Sequence, residues 1–325
     1  MATVYFATNR NPNKTQSPTD FGKLFSPTSL GDLRFGQADV KKGKLDPKSI
    51  RVLPDDPAQG SQALFDQLRT TMREQSQDAL VFIHGFNVSF RDALESAAKM
   101  SDFYGKLSAS AYRPNLFVFS WPSDGEITGY GNDRHDAEAS GYAFARGLIK
   151  LAGFLRGTGK ELACQQRINL IAHSMGNYVL RHALQQARKI AEGPALARIF
   201  DNIVLTAADE DHDAFEHDHK LAKLPELAKR ITVYFNTGDL ALTVSDATKG
   251  NPDRLGHDGP SKPHQLPAKV VTVDVSDVVH GVSEHSYHAE DDTVGKDIIA
   301  VLQGQGSETI PGRRYVPHAN KYRLG

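Results

Sequence analysis

Apolar residues along this chain fall into two patterns. Short unbroken runs read as buried strands, and longer stretches with apolar residues every three or four positions read as helices. The runs are Val4 to Thr8, Ala79 to Ile83, Asn115 to Ser120, Ile168 to Ala172, Phe200 to Thr206, Arg230 to Asn236 and Lys269 to Val275. The first helical stretch starts at Ser61, a candidate cap, and runs to about Gln75, with Leu64, Phe65, Leu68 and Met72 on one face. A second carries Phe90, Leu94, Ala97, Ala98 and Met100. Others run from about Asp136 to Leu155, Tyr178 to Ile190, Leu221 to Lys229 and about Thr293 to Leu302. Strands alternating with helices predict an α/β fold with a mostly parallel sheet covered on both faces.

The remaining stretches read as connections. Asn9 to Leu30 is rich in Asn, Pro, Ser, Thr and Gly and reads as a loop. Asp32 to Val40, Lys41 to Lys44 and Ile50 to Leu53 form a hairpin-like region. Gly250 to Pro267 and His280 to His288 read as loops. No repeat or linker divides the chain, so residues 1–303 read as one domain. Residues 304–325 read as a polar, basic, loosely held tail.

Composition narrows the class. The chain has 325 residues, of which 39% are hydrophobic, enough for a sizeable core. Lys and Arg number 38 against 39 Asp and Glu, a net charge of -1. That balance offers no general attraction to nucleic acid or an anionic membrane surface. A single cysteine, Cys164, excludes an intrachain disulfide framework. The opening residues lack a basic segment followed by an apolar one, and no apolar run reaches membrane-spanning length. A soluble cytoplasmic protein, without stable membrane insertion, is the expectation.

The chemistry centres on Ile168 to Asn177. A buried strand ends in His173-Ser174-Met175-Gly176, and a helical stretch follows. Strand, serine, helix is the layout of a nucleophile elbow, with small residues beside the serine. Gly176 supplies one, and Ala172 stands where glycine is usual. A serine hydroxyl needs a base to take its proton, and the base needs a carboxylate to orient it. In a parallel sheet such groups collect beyond the carboxyl ends of the strands. Downstream, Asp239 and Asp209 each follow a strand; Asp239 is preferred, with a helix N-cap as its competing role. The loop after the last strand offers His280, His285 and His288, of which His285 is preferred. The order Ser, Asp, His is that of α/β-hydrolases. Oxyanion donors are expected at the N–H of Met175 and, from the turn His84-Gly85-Phe86-Asn87, of Phe86. His84, Gly85, Asn87, Trp121, His173 and Asp209 are candidate pocket residues, and Trp121, Phe86 and Met175 candidate walls for an acyl group. Ser123 to Ser140 is a candidate partial lid.

Several stretches resemble the α/β-hydrolases of the DUF900 family: Val4 to Arg10, Val81 to Asn87, Phe119 to Ser123, Tyr130 with Asp133 and Ser140, Ile171 to Asn177, Asp209 to Phe215, Asn236 to Leu242, and His285 to Tyr287. The resemblance covers nearly the whole chain in order. It implies an α/β-hydrolase fold and a serine esterase or lipase-like activity. It also implies Ser174 as nucleophile, Asp239 as acid and His285 as base; a small-molecule ester as substrate and no cofactor are the expectation. Asp209-Glu210-Asp211 lacks the Pro-Asp pattern that the family often has there.

Other readings compete. The fold can serve as a non-catalytic binding or scaffold module. Thioesterases, amidases, peptidases and acyltransferases use the same triad. The run Asp209 to His219 carries ligand types for a divalent metal, but its spacing matches no established motif, and no metal is assigned.

Overall fold

A computed structural model describes residues 2–53, 60–126, 129–157, 165–190, 196–242, 253–281 and 284–325. Cys164 and part of the loop expected from Gly250 lie outside the described residues. Among these, twelve strands form one sheet. Its centre is β1 (Ala2–Thr8), β7 (Ala79–Ile83), β8 (Asn115–Ser120), β9 (Ile168–His173), β10 (Phe200–Thr206), β11 (Ala228–Phe235) and β12 (Val270–Asp274). The spatial order is β12-β11-β10-β9-β7-β8-β1, and each neighbour is parallel. β4 (Arg34–Lys41) closes one side antiparallel to β1, with β5 (Lys44–Leu45) and β6 (Arg51–Val52) on it.

The central strands are apolar on both sides because helices cover both faces. β7 and β8 are buried at every position. α1 (Gly60–Gln75), α3 (Tyr130–Gly157) and α4 (Gly176–Ile190) share one core with the sheet, through Leu64, Phe144 and Leu180 among others. α2 (Phe90–Leu107) and α5 (Asp292–Leu302) share the other, through Leu94 and Ile298. Ser89 caps α2, its hydroxyl accepting the N–H of Asp92. No described helix is long and apolar enough to cross a membrane.

An apolar cavity of about 160 Å³ lies between α1, α3 and the sheet. Its walls include Ala79, Ile168 and Phe200, the first residues of three parallel strands. It therefore sits at the opposite end of the sheet from the strand ends that carry the candidate chemistry.

The structure corrects several expectations. Asn9 to Leu30 holds a small antiparallel ribbon, β2 (Arg10–Pro12) with β3 (Phe21–Phe25). Phe21 anchors it by packing against Phe6 and Phe90, an apolar contact hidden in polar composition. Leu221 to Lys229 is not an α-helix but turns with a 3-10 segment at Leu224–Glu226. A three-residue apolar spacing suits either, and strand pairing of β11 begins already at Ala228. α3 starts at Tyr130, six positions before the expected Asp136. The expected lid is therefore largely helix, with Asp133, Ala137 and Ser140 buried.

The tail is not loosely held. β13 (Arg313–Val316) and β14 (Lys321–Leu324) form an antiparallel pair, and β14 extends the sheet parallel to β12. Arg313 is buried against Asp297 of α5, and Tyr315 packs on Tyr322 across the pair. Polar tips on two short strands masked a strand pattern that needs only one buried side.

Candidate active site

Ser174 sits in the tight turn between β9 and α4, at φ 52°. Asn87 after β7 (φ 59°) and Ala207 after β10 (φ 43°) share this sparsely populated region. Three strained residues thus stand at the carboxyl ends of three adjacent strands. Such strain persists only where the surroundings over-determine it. At the elbow the side chain of Asn177 does so, its Nδ2 donating to the carbonyls of Ala172 (3.1 Å) and Ser174 (3.0 Å). Ala172 is fully buried, so its methyl is absorbed by the core.

Glycine is demanded at two positions by close approach. A Cβ on Gly176 would lie 2.6 Å from the Ile83 carbonyl oxygen, because α4 starts hard against the end of β7. A Cβ on Gly85 would lie 2.8 Å from Ser174 Cβ. The turn after β7 is therefore in contact with the candidate nucleophile. Neither the Phe86 N–H nor the Met175 N–H has an acceptor among the described residues. Met175 is fully buried, so its unpaired N–H carries a cost that a bound anionic oxygen would remove.

His285 and Asp239 meet. The His285 Nδ1 donates to Asp239 Oδ2 at 2.8 Å, which leaves Nε2 free to accept a proton. Asp239 is fully buried, and its other oxygen accepts the N–H groups of Ala241 (3.1 Å) and Leu242 (3.3 Å). It is both the partner of His285 and a helix N-cap. The loop that carries His285 is tied down three times. Asn236 Nδ2 donates to the Glu284 carbonyl at 3.2 Å. His173 Nε2 donates to the His285 carbonyl at 3.0 Å. Tyr287 accepts the Ala207 N–H at 2.6 Å and donates to the Tyr234 carbonyl at 3.1 Å. Burial, with His288 and His285 beside it, pushes His173 well below the usual imidazole range, so it stays a neutral donor. The Ser174 hydroxyl itself has no hydrogen-bond partner among the described residues.

The other candidates fall elsewhere. His280 is exposed. His288 is buried and neutral, its pKa lowered to about 3 by burial, and its ring stacks near Phe82 and His173. Asp209 is also buried, accepting the Tyr130 hydroxyl and lying 3.4 Å from Arg254 Nε. With Glu210 and Asp211 it forms a charge network with Arg254, Arg181 and Lys220. Asp213 joins it through Lys220, whereas Glu216 pairs with Lys262 and Asp218 with Arg188. Burial outweighs Arg181 at Glu210 and holds its carboxyl up at about 7.

Trp121 and His84 are corrected from pocket walls to core. Both are buried, they stack with centroids 5.1 Å apart, and Trp121 Nε1 donates to the His84 carbonyl at 2.9 Å. His84 turns its Nδ1 to the Gly85 carbonyl, and burial lowers its pKa to about 3. Of the expected acyl-pocket walls, Met175 is buried and Phe86 is partly exposed, its ring 5.4 Å from that of Tyr130. Sequence reasoning missed the supporting roles of Asn177, Asn236 and Tyr287. Their one available signal was a polar residue lodged within an apolar run or beside a motif residue.

A mostly parallel sheet with a strained serine between strand and helix, followed in the chain by an acid and a histidine, defines an α/β-hydrolase. Residues 61–302 match the family model described as an alpha/beta hydrolase of unknown function, DUF900, and the chain belongs to that family. An uncharacterized protein of Nostoc sp., alr1448, is 26% identical over 211 residues, covering 56% of this chain and 50% of that protein. The chain thus spans about half the length of the curated relative it matches.

Proposed function

We propose that this hydrolase-family protein is a serine esterase acting on small carboxylic esters. The observation that carries the reading is the 2.8 Å His285–Asp239 pair, whose loop is tied to His173 beside the elbow serine, together with the Phe86 and Met175 N–H groups, which lack acceptors among the described residues. In this reading His285 Nε2 takes the Ser174 proton as Oγ attacks the ester carbonyl. The Phe86 and Met175 N–H groups receive the charge that develops on the carbonyl oxygen. The imidazolium, steadied by Asp239, then protonates the leaving alkoxide, and water releases the acid by the same steps in reverse roles. The missing hydrogen bond of Ser174 is compatible with this, since catalytic hydrogen bonds are often long without substrate.

Fluorophosphonate labelling of wild type, Ser174→Ala and His285→Ala tests the reading, with p-nitrophenyl acetate and longer p-nitrophenyl esters assayed alongside. Labelling and turnover should vanish in Ser174→Ala and drop by at least about 10³-fold in His285→Ala. A folded wild type that neither labels nor turns over would move the assignment to a non-catalytic binding module.

A further inference from the structure

Several motif residues take no part in the Ser174–His285–Asp239 constellation: Arg10, Ser120, Ser123 and Asp133. All four are buried, and they converge behind the turn after β7. Arg10 sends Nη2 to the Val88 carbonyl (2.7 Å), Nη1 to the carbonyls of Gly22 and Ser123 (both 3.1 Å), and Nε to Ser120 Oγ (3.0 Å). Ser123 Oγ accepts the Val88 N–H at 3.0 Å and donates to Asp133. Asp133 Oδ2 also accepts the Asn87 N–H at 3.3 Å, and its Oδ1 accepts the Asp124 N–H at 2.7 Å.

The consequence falls on one peptide group. In the run Phe86-Asn87-Val88, the last two N–H groups and the Val88 carbonyl are all held. The strained φ of Asn87 is fixed by the same bonds. The Phe86 N–H is left without an acceptor among the described residues, one position after Gly85, where an added Cβ would lie 2.8 Å from Ser174 Cβ. We propose that Arg10, Ser123 and Asp133 are positioning residues that clamp Asn87 and Val88 so that the Phe86 N–H stays turned toward the Ser174 reaction centre. This inference rests on the serine-hydrolase reading. The clamp is made at a cost, because no carboxylate lies within 4.0 Å of Arg10 among the described residues. Burial lowers its pKa to about 9, with Asp133, Asp20, Asp124 and Asp136 only partly opposing. A donor for developing charge must be held before the charge appears, and a misplacement of about 1 Å can cost about 100-fold in rate.

The test uses the full chain with Asp133→Asn and, as a milder second variant, Ser123→Ala. Asp297→Asn, which disturbs a buried arginine contact at the sheet edge, is the stability control. Four quantities are measured: kcat and KM for p-nitrophenyl acetate, the affinity of a trifluoromethyl ketone, the melting temperature, and amide exchange in residues 84–89. Asp133→Asn leaves one acceptor oxygen where two N–H groups, of Asn87 and Asp124, now bond, so one of them meets a donor. We expect kcat to fall about 10- to 100-fold with KM within about twofold. Trifluoromethyl ketone affinity should fall by the same factor, exchange at 86–88 should quicken, and the pH midpoint of kcat/KM should stay. Asp297→Asn should lower the melting temperature and leave kcat alone. Wild-type kcat and exchange in both variants, a change in KM only, or an equal kcat loss in the control would each overturn the proposal. A wild type with no turnover or labelling would sink the hydrolase reading itself. Exchange would then still judge the clamp, and unchanged exchange in the variants would reject it separately.

Discussion

Two buried arginines sit in opposite kinds of surroundings. Arg313, at the sheet edge, faces Asp297 with two bonds, Nε to Oδ2 at 2.7 Å and Nη2 to Oδ1 at 2.6 Å, and Nη2 also reaches the Tyr234 hydroxyl at 3.1 Å. Those partners outweigh burial and hold its pKa above the ordinary arginine value. Arg10 has only carbonyls and a hydroxyl, and burial holds its pKa down at about 9. The first arrangement compensates a charge and fastens two segments together. The second has no carboxylate in direct contact among the described residues and aims the guanidinium at three backbone carbonyls, those of Gly22, Val88 and Ser123.

The comparison is broken most sharply at the edge. Asp297→Ala leaves the Arg313 charge buried without its carboxylate, and about 3–5 kcal/mol of stability should be lost, read by denaturant unfolding. The kcat of the molecules that remain folded should not change. Gly85→Ala probes the other end. Its new methyl would meet Ser174 Cβ at 2.8 Å, and kcat should fall about 100-fold, equivalent to about 2.7 kcal/mol of barrier, with a smaller change in melting temperature. A wild-type kcat in Gly85→Ala would show that the turn does not bear on the serine.

Acid sharpens the contrast further. His84 and His288 are held near pKa 3 in the fold, whereas an unfolded histidine titrates near about 6.5. The unfolded chain therefore binds protons that the fold refuses. Their stability contribution is full above pH about 6.5 and is lost as pH falls toward 3, by about 2 kcal/mol per histidine at pH 5. Glu210 and Asp136, held up at about 7 and about 6, act in the opposite direction. Unfolding free energies of His288→Gln at pH 7.5 and pH 5 should differ by about 2 kcal/mol less than those of wild type. Arg10 itself is charged in both states well below pH 9 and adds no slope in this window.

The smallest effect is expected at Tyr287→Phe. It removes the bonds to the Ala207 N–H and the Tyr234 carbonyl but keeps the packing. A loss of about 1–2 kcal/mol in stability and less than about tenfold in kcat is expected. A larger kcat loss with unchanged melting temperature would promote Tyr287 from a tether of the base loop to part of the reacting site.

Much of this was legible along the chain. The buried runs that became β7, β8, β9 and β10 are apolar on both sides, and no other local structure suits them. The elbow was legible because a serine between a strand and a helix has few other reasons to sit among small residues. His285 could be ranked above its neighbours, but only its contact with Asp239 separates it from His288, which shares its loop and is buried in the core. The tail and the Asn9 to Leu30 ribbon were hidden because each hangs on one or two apolar anchors, such as Phe21, amid polar residues. Trp121 and His84 were misread because an aromatic residue at a strand end looks the same whether it faces a pocket or the next loop.

The sequence alone determined the order of strands and helices, the parallel sheet they demand, and the serine elbow. Each of these follows from local periodicity and from steric needs within a few residues. The tertiary structure alone decided which carboxylate meets His285, which backbone N–H groups lack an acceptor among the described residues, and which groups Arg10 holds. Those outcomes depend on groups 46 to 113 positions apart, such as Asp239 with His285, His173 with His285 and Arg10 with Ser123, meeting at distances of about 3 Å. Hydrogen bonds depend steeply on distance and angle, and no spacing along the chain encodes either.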